Sequence, residues 1–189
     1  MARSFWCLPP PAAVAAALAD FAAARLPEWL PGWRLDRIAA EDLHLTLRFL
    51  GEPAPGVERA LAERLPHLAA SAGALALSVS RLALWPGLRA ARVVVLRVLG
   101  GEALAGLAAR AEEAARSAGL EPERRPFRGH LTLARVRGPG PPPAAPPPVP
   151  PALAFRAEAL AWWESVPQAG RRYRERLRLP LSGAGSAAV

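Results

Sequence analysis

The chain reads as an α+β protein built on an internal repeat. A four-residue phrase, His-Leu-Thr-Leu, occurs twice, at His44–Leu47 and at His130–Leu133, 86 residues apart (130 − 44). Both copies alternate polar and apolar residues with period two, the signature of a strand with one buried face. Around the copies, stretches with helical periodicity take turns with stretches of strand alternation, which an all-α or all-β chain would not show. With 52% hydrophobic residues, 189 residues suffice for the core of one domain.

From the N-terminus, residues 3–8 read as a first strand, and Pro11 opens a helix over 11–26. The Ala-rich run from Ala12 to Ala19 mimics a signal peptide, but Pro9-Pro10-Pro11 and Asp20 argue against one. Leu26 to Arg34 is a turn-rich connector in which Trp29 and Trp33, beside prolines, are expected to cover a core edge. A short strand at 35–39 precedes the first motif strand, 43–50, which Gly51-Glu52-Pro53 ends. Val57, Leu61, Leu65 and Leu68 recur at helical spacing over 55–70, and Pro66 is expected to kink or shorten that helix. His67 lies there without a Thr partner and reads as a surface residue.

Leu75 to Leu84 alternates, and Ala91 to Leu99 is the most β-branched run of the chain. Joined through Trp85-Pro86-Gly87, the two form an antiparallel pair. A helix over 102–118 turns Leu104, Leu107 and Ala111 inward and is capped by Gly119. The second motif strand covers 130–136. Residues 138–151, GPGPPPAAPPPVPP, lack the donors a sheet needs and read as an extended loop. Leu153 to Trp163 and Arg172 to Leu181 read as the last two strands, and 182–189 as a flexible tail.

The net charge is +8, and every one of the 24 basic residues is Arg. Such an excess points to a polyanionic partner, RNA foremost. The single cysteine, Cys7, excludes an intrachain disulfide and fits a reducing cytoplasm; set in an apolar run, it reads as core. No run reaches the roughly 18 uninterrupted apolar residues of a membrane span.

On a strand, His44 and Thr46 share one face and the leucines take the other; the same holds for His130 and Thr132. Two imidazoles can serve as general base and general acid, and two hydroxyls can hold phosphate oxygens. The spacing lacks the clustered Cys, His or carboxylate ligands of a zinc site, so neither metal nor cofactor is expected. By the same alternation Arg48 is expected beside Thr46, and Phe49 in the core.

LHLTLRFLGE at 43–52 and FRGHLTLAR at 127–135 resemble the paired motifs of the two-histidine phosphoesterase superfamily. They look most like its LigT-like branch, the RNA 2′,3′-cyclic phosphodiesterases first described as 2′-5′ RNA ligases. Gly129 stands where that branch usually has Pro. Ser165, Gly170, Tyr173 and Pro180-Leu181 follow its closing order, so the resemblance covers about residues 1–181.

The resemblance implies two pseudo-symmetric lobes of antiparallel sheet with helices outside, enclosing a central cleft to which each lobe gives one motif strand. It implies a single bilobal domain over 1–181. The implied reaction is hydrolysis of an RNA 2′,3′-cyclic phosphate end to a 2′-phosphate, without metal, by His44 and His130. Of the two, we expect His130 as base and His44 as acid. Thr46 and Thr132 would bind the non-bridging oxygens, Arg135 and Arg48 would clamp phosphate or RNA backbone, and Tyr173 would reach the cleft. The expected partners are RNA 3′ ends carrying a cyclic phosphate, tRNA fragments among them; the expected state is a cytoplasmic monomer off the membrane. A 2′-5′ RNA ligase, or a phosphodiesterase for small cyclic or oligonucleotides, would use the same residues. A non-catalytic RNA-binding module is the reading from another class, and the intact His and Thr pairs argue against it.

Overall fold

The computed structural model describes residues 3–166 and 172–182. Gly170 and residues 183–189, which carried sequence-based expectations, lie outside them. Within the described residues the elements run β1 (Ser4–Leu8), α1 (Ala12–Trp29), β2 (Arg34–Arg37), β3 (Leu45–Gly51), α2 (Pro55–Ala70), β4 (Leu75–Trp85) and β5 (Val93–Leu99). They continue with α3 (Gly101–Ser117), β6 (His130–Gly138), β7 (Ala154–Ala157), β8 (Ala159–Ser165) and β9 (Tyr173–Pro180). None of these helices is long and apolar enough to cross a membrane.

The strands form one antiparallel sheet in the order β7-β4-β5-β6-β3-β1-β8-β9, with β2 alongside β6. The order has an internal symmetry. Reading outward from the centre, β6-β5-β4-β7 forms one lobe and β3-β1-β8-β9 the other. The two motif strands are thus the inner strands of their lobes, and they meet at one residue pair, Leu45 with Leu131. The α+β class and the two-lobed arrangement both match the sequence reading.

The final strands differ from that reading. Leu153 to Trp163 is not one strand but two, separated by Glu158: β7 pairs with β4 in one lobe, and β8 with β1 in the other. The burial pattern shows the switch, because Phe155 and Ala157 point to the core before it, and Leu160 and Trp162 after it. A change from odd to even positions means the chain has left one strand and begun another. One intervening residue cannot span an open sheet, so the sheet curls until its two ends approach. A bridge between Gly73, before β4, and Ser182, after β9, closes the same seam.

The helices cover the outer face. Leu18 and Leu26 of α1, Leu61 and Leu65 of α2, and Leu107 of α3 are buried against it, together with Leu45, Leu96 and Leu131 of the sheet. Pro66 neither stops α2, which continues to Ala70, nor keeps Leu68 from the core. The first helix runs past Pro27 to Trp29. Trp29 and Trp33 are buried, as expected, and their indoles also donate to the Pro-rich loop: Trp29 to Ala145 O at 3.2 Å and Trp33 to Pro141 O at 2.8 Å. A smaller cluster, Phe5, Cys7, Ala161, Trp163 and Tyr173, lies on the inner face.

Candidate active site

The Leu45–Leu131 pair sets the geometry of the site. Both leucines are fully buried on the helix side, so their neighbours point inward. That antiparallel register, extended one residue either way, puts His44 across from Thr132 and Thr46 across from His130. The two histidines are therefore diagonal neighbours, each facing the other motif's threonine. They feel each other electrostatically, since charge on His130 disfavours protonation of His44.

The two imidazoles are held alike. His44 Nδ1 lies 2.7 Å from the carbonyl of Asp42, and His130 Nδ1 lies 2.7 Å from the carbonyl of Arg128. A carbonyl only accepts, so each Nδ1 carries the proton and donates. In the neutral ring Nε2 is then the free lone pair, the nitrogen left for chemistry. Gly129 allows the approach on the second side. Its carbonyl accepts from Val98 N at 3.0 Å, and a Cβ there would fall 2.7 Å from Val98 O.

Their surroundings differ. Phe5 stacks on His44 with ring centroids 4.6 Å apart, and Tyr173 stands edge-on to it at 4.9 Å. Trp163 completes that wall at 5.3 Å. This apolar nest pushes the His44 pKa down to about 4, against the opposing pull of the Asp42 carbonyl; the charges of His130 and Arg135 add to the depression. His130 rests against Trp85 at 4.6 Å. Its pKa is also lowered, chiefly by burial and then by the Arg97 cation.

Beyond the threonines, each motif strand has a β-bulge at the same place. Along β1, Cys7 pairs with Thr46 but Trp6 with Arg48, so Leu47 is the extra residue. Along β5, Val95 pairs with Thr132 but Val94 with Ala134, so Leu133 is extra. A bulge sets two residues against one, and the alternation restarts one position later. Arg48 and Ala134 consequently go to the helix side, and Phe49 and Arg135 to the histidine side.

Two sequence expectations are corrected by this one cause. Arg48 is not beside Thr46: it is 8% exposed, ion-paired to Glu112 of α3 at 2.5 Å, and it donates to the Glu121 carbonyl at 2.5 Å. Phe49 is not in the core: it is 50% exposed on the inner face, 6.0 Å from Phe5. Arg135 does face the site, and its Nη2 donates to the Tyr173 hydroxyl at 2.9 Å, which links β6 to β9 of the other lobe. Tyr173 therefore reaches the cleft.

Phe5, Trp85 and Arg97 are site residues that the sequence reading did not single out as such. Only strand pairing brings them in, and no local pattern marks them. Among the described residues no three His, Cys, Asp or Glu side chains gather as metal ligands would. Asp42 is buried, and its Oδ2 accepts from the backbone N of Arg172 at 3.1 Å, which ties the turn before His44 to the start of β9.

A family model described as LigT like phosphoesterase matches residues 8–95 and 100–171. An RNA 2′,3′-cyclic phosphodiesterase of Geobacillus stearothermophilus is 31% identical over 147 residues, 76% of this chain and 47% of that protein. One from Aeropyrum pernix is 32% identical over 108 residues, 57% of this chain and 60% of that one. The chain thus spans about half, and about three-fifths, of the length of these two relatives. The crystal structure of E. coli LigT complexed with 3′-AMP superposes with a TM-score of 0.74 at 28% identity, covering 95% of this chain and 97% of that one.

Proposed function

Because this chain belongs to the LigT-like phosphoesterase family, we propose that it hydrolyses RNA ends carrying a 2′,3′-cyclic phosphate to 2′-phosphates, by acid–base catalysis between two histidines and without a metal. What supports this reading is the Leu45–Leu131 pair, whose register sets His44 across from Thr132 and Thr46 across from His130, together with the Nδ1 contacts that leave the Nε2 lone pair of each neutral ring for chemistry. The names of the two curated relatives support the same substrate.

The reaction needs a proton removed from water on one side of phosphorus and delivered to the ribose 3′ oxygen on the other. His130, the less enclosed of the two, takes the water proton on Nε2. The hydroxide oxygen bonds to phosphorus as the bond to O3′ breaks. His44, made imidazolium in the complex because the bound phosphate anion opposes the depression of its pKa, gives its Nε2 proton to O3′, leaving phosphate on O2′. Thr46 and Thr132 donate to the non-bridging oxygens, whose charge grows in the transition state, and Arg135 adds a cation on the same face. Phe49 offers an exposed ring on which the terminal base stacks.

The test is a short RNA ending in a 2′,3′-cyclic phosphate, incubated in excess EDTA. Full conversion to a 2′-phosphate end is expected. No turnover, or turnover only after a divalent ion is restored, would contradict the proposal.

The pH dependence follows from the site's electrostatics. One imidazole must be neutral, so rate rises as pH climbs through its pKa. The other must be protonated, so rate falls as pH climbs through the second pKa. The free protein governs kcat/KM. Both pKa values are depressed below the ordinary 6.5, so the kcat/KM bell is expected on the acid side of neutrality rather than bracketing it. Bound phosphate is an anion and favours imidazolium, so the kcat bell should sit at higher pH. Rate measurements from pH 3 to 9 check both displacements.

A further inference from the structure

Arg97 is the feature of the cleft that the proposed reaction leaves unused. It sits on β5 directly across from His130, and in an antiparallel pair such residues are about 4.5–5.5 Å apart at Cα and share a face. Its guanidinium lies over Trp85, 5.7 Å from the ring centroid, and Trp85 in turn packs on His130. Arg97 is half-buried, and its Nε–H is buried without a hydrogen-bond acceptor among the described residues.

No acidic side chain pairs with it among those residues. Other arginines of the sheet are neutralised: Arg48 by Glu112, Arg174 by Glu164, and Arg176 by Glu58. A partly desolvated cation kept unpaired beside a phosphate-processing centre lacks only its anion. On the His44 side the packed rings are aromatic, and the cation that acts on His44, Arg135, already donates to the Tyr173 hydroxyl. Among the described residues it is Arg97 whose Nε–H still lacks an acceptor beside a histidine.

We propose that Arg97, seated on Trp85, binds a second phosphate of the substrate, distinct from the one that reacts. It is either the phosphodiester linking the terminal nucleotide to the rest of the chain or a 5′-phosphate on a mononucleotide. The inference rests on the phosphodiesterase reading above and adds a determinant of substrate choice: substrates with that second phosphate are preferred over a bare nucleoside 2′,3′-cyclic phosphate.

Three substrates test it: a nucleoside 2′,3′-cyclic phosphate, the same compound with a 5′-phosphate, and a dinucleotide ending in the cyclic phosphate. At low salt, kcat/KM is expected to be about tenfold or more higher for a substrate carrying the second phosphate, as a charge-assisted contact gives. Arg97→Gln should collapse that ratio toward one, and Arg97→Lys should keep part of it. An advantage shared by both phosphate-bearing substrates supports recognition of a phosphate from either source. An advantage confined to the dinucleotide assigns the subsite to the chain diester. Equal rates on all three in the wild-type protein, or an Arg97→Gln effect that scales all three alike, overturns the proposal and leaves Arg97 as packing for Trp85.

If the wild-type protein turns over none of them, the phosphodiesterase reading fails on its own. Calorimetric titration with adenosine 2′-phosphate and adenosine 2′,5′-bisphosphate then decides the subsite. Tighter binding of the bisphosphate, lost in Arg97→Gln, supports it, and equal binding overturns it.

Discussion

His44→Ala and His130→Ala are each expected to lower kcat by about 10²–10⁴-fold, the range general acid–base catalysis supplies. The double variant should be little worse than the poorer single, because a base without its acid, or an acid without its base, has little left to do. The structure makes this a test of position. Each imidazole is fixed through Nδ1 by a carbonyl two residues upstream, and the two motifs lie side by side because Leu45 pairs with Leu131 across the lobes. Thr46→Ala and Thr132→Ala each remove one hydrogen bond to a charged group, worth about 1.5–3 kcal/mol, and should cost less. Steady-state kinetics of the four single variants and the histidine double variant measure the ordering. Additive histidine effects would mean that the rings do not act as a pair.

The second large effect is on stability, and it falls on a residue first expected in the site. Arg48→Ala should destabilise the protein by about 2–4 kcal/mol. It leaves the Glu112 carboxylate without its cation and the Glu121 carbonyl without this donor, and the cost stays below that of a fully buried pair because Glu112 is partly exposed and its Oε1 still accepts from Glu123 N at 3.1 Å. Phe49→Ala touches an exposed ring and should leave stability within about 0.5 kcal/mol. It should instead raise KM, since stacking contributes about 1–3 kcal/mol per base by alanine substitution. Urea unfolding and kinetics of the two variants, side by side, read out the bulge at Leu47. Uninterrupted alternation would exchange the two phenotypes, with Arg48→Ala impairing binding and Phe49→Ala impairing folding.

Those two adjacent residues also show where the sequence stops being legible. Period-two alternation located both motif strands and put His44, Thr46, His130 and Thr132 on one face, because that much depends on the strand alone. The bulges depend on how β1 and β5 pair with the motif strands, and nothing within LTLRF or LTLAR marks them. Phe5, Trp85 and Arg97 were missed for the same reason, since each joins the site across a strand pair. The switch of chain at Glu158 left a faint trace, a change of parity between Phe155–Ala157 and Leu160–Trp162, which the paired Trp162-Trp163 blurred by burying both faces. The depressed histidine pKa values follow from burial, which sequence does not display.

The claim that one histidine gives a proton and the other takes one is tested most directly by changing the leaving group. A cyclic substrate with sulfur in place of the 3′ oxygen departs as a thiolate and needs no proton. With it, His44→Ala is expected to recover most of the wild-type rate, while His130→Ala stays impaired because water must still be deprotonated. Rescue of both variants alike, or of neither, would contradict the division of roles and make the histidines electrostatic clamps on the phosphate.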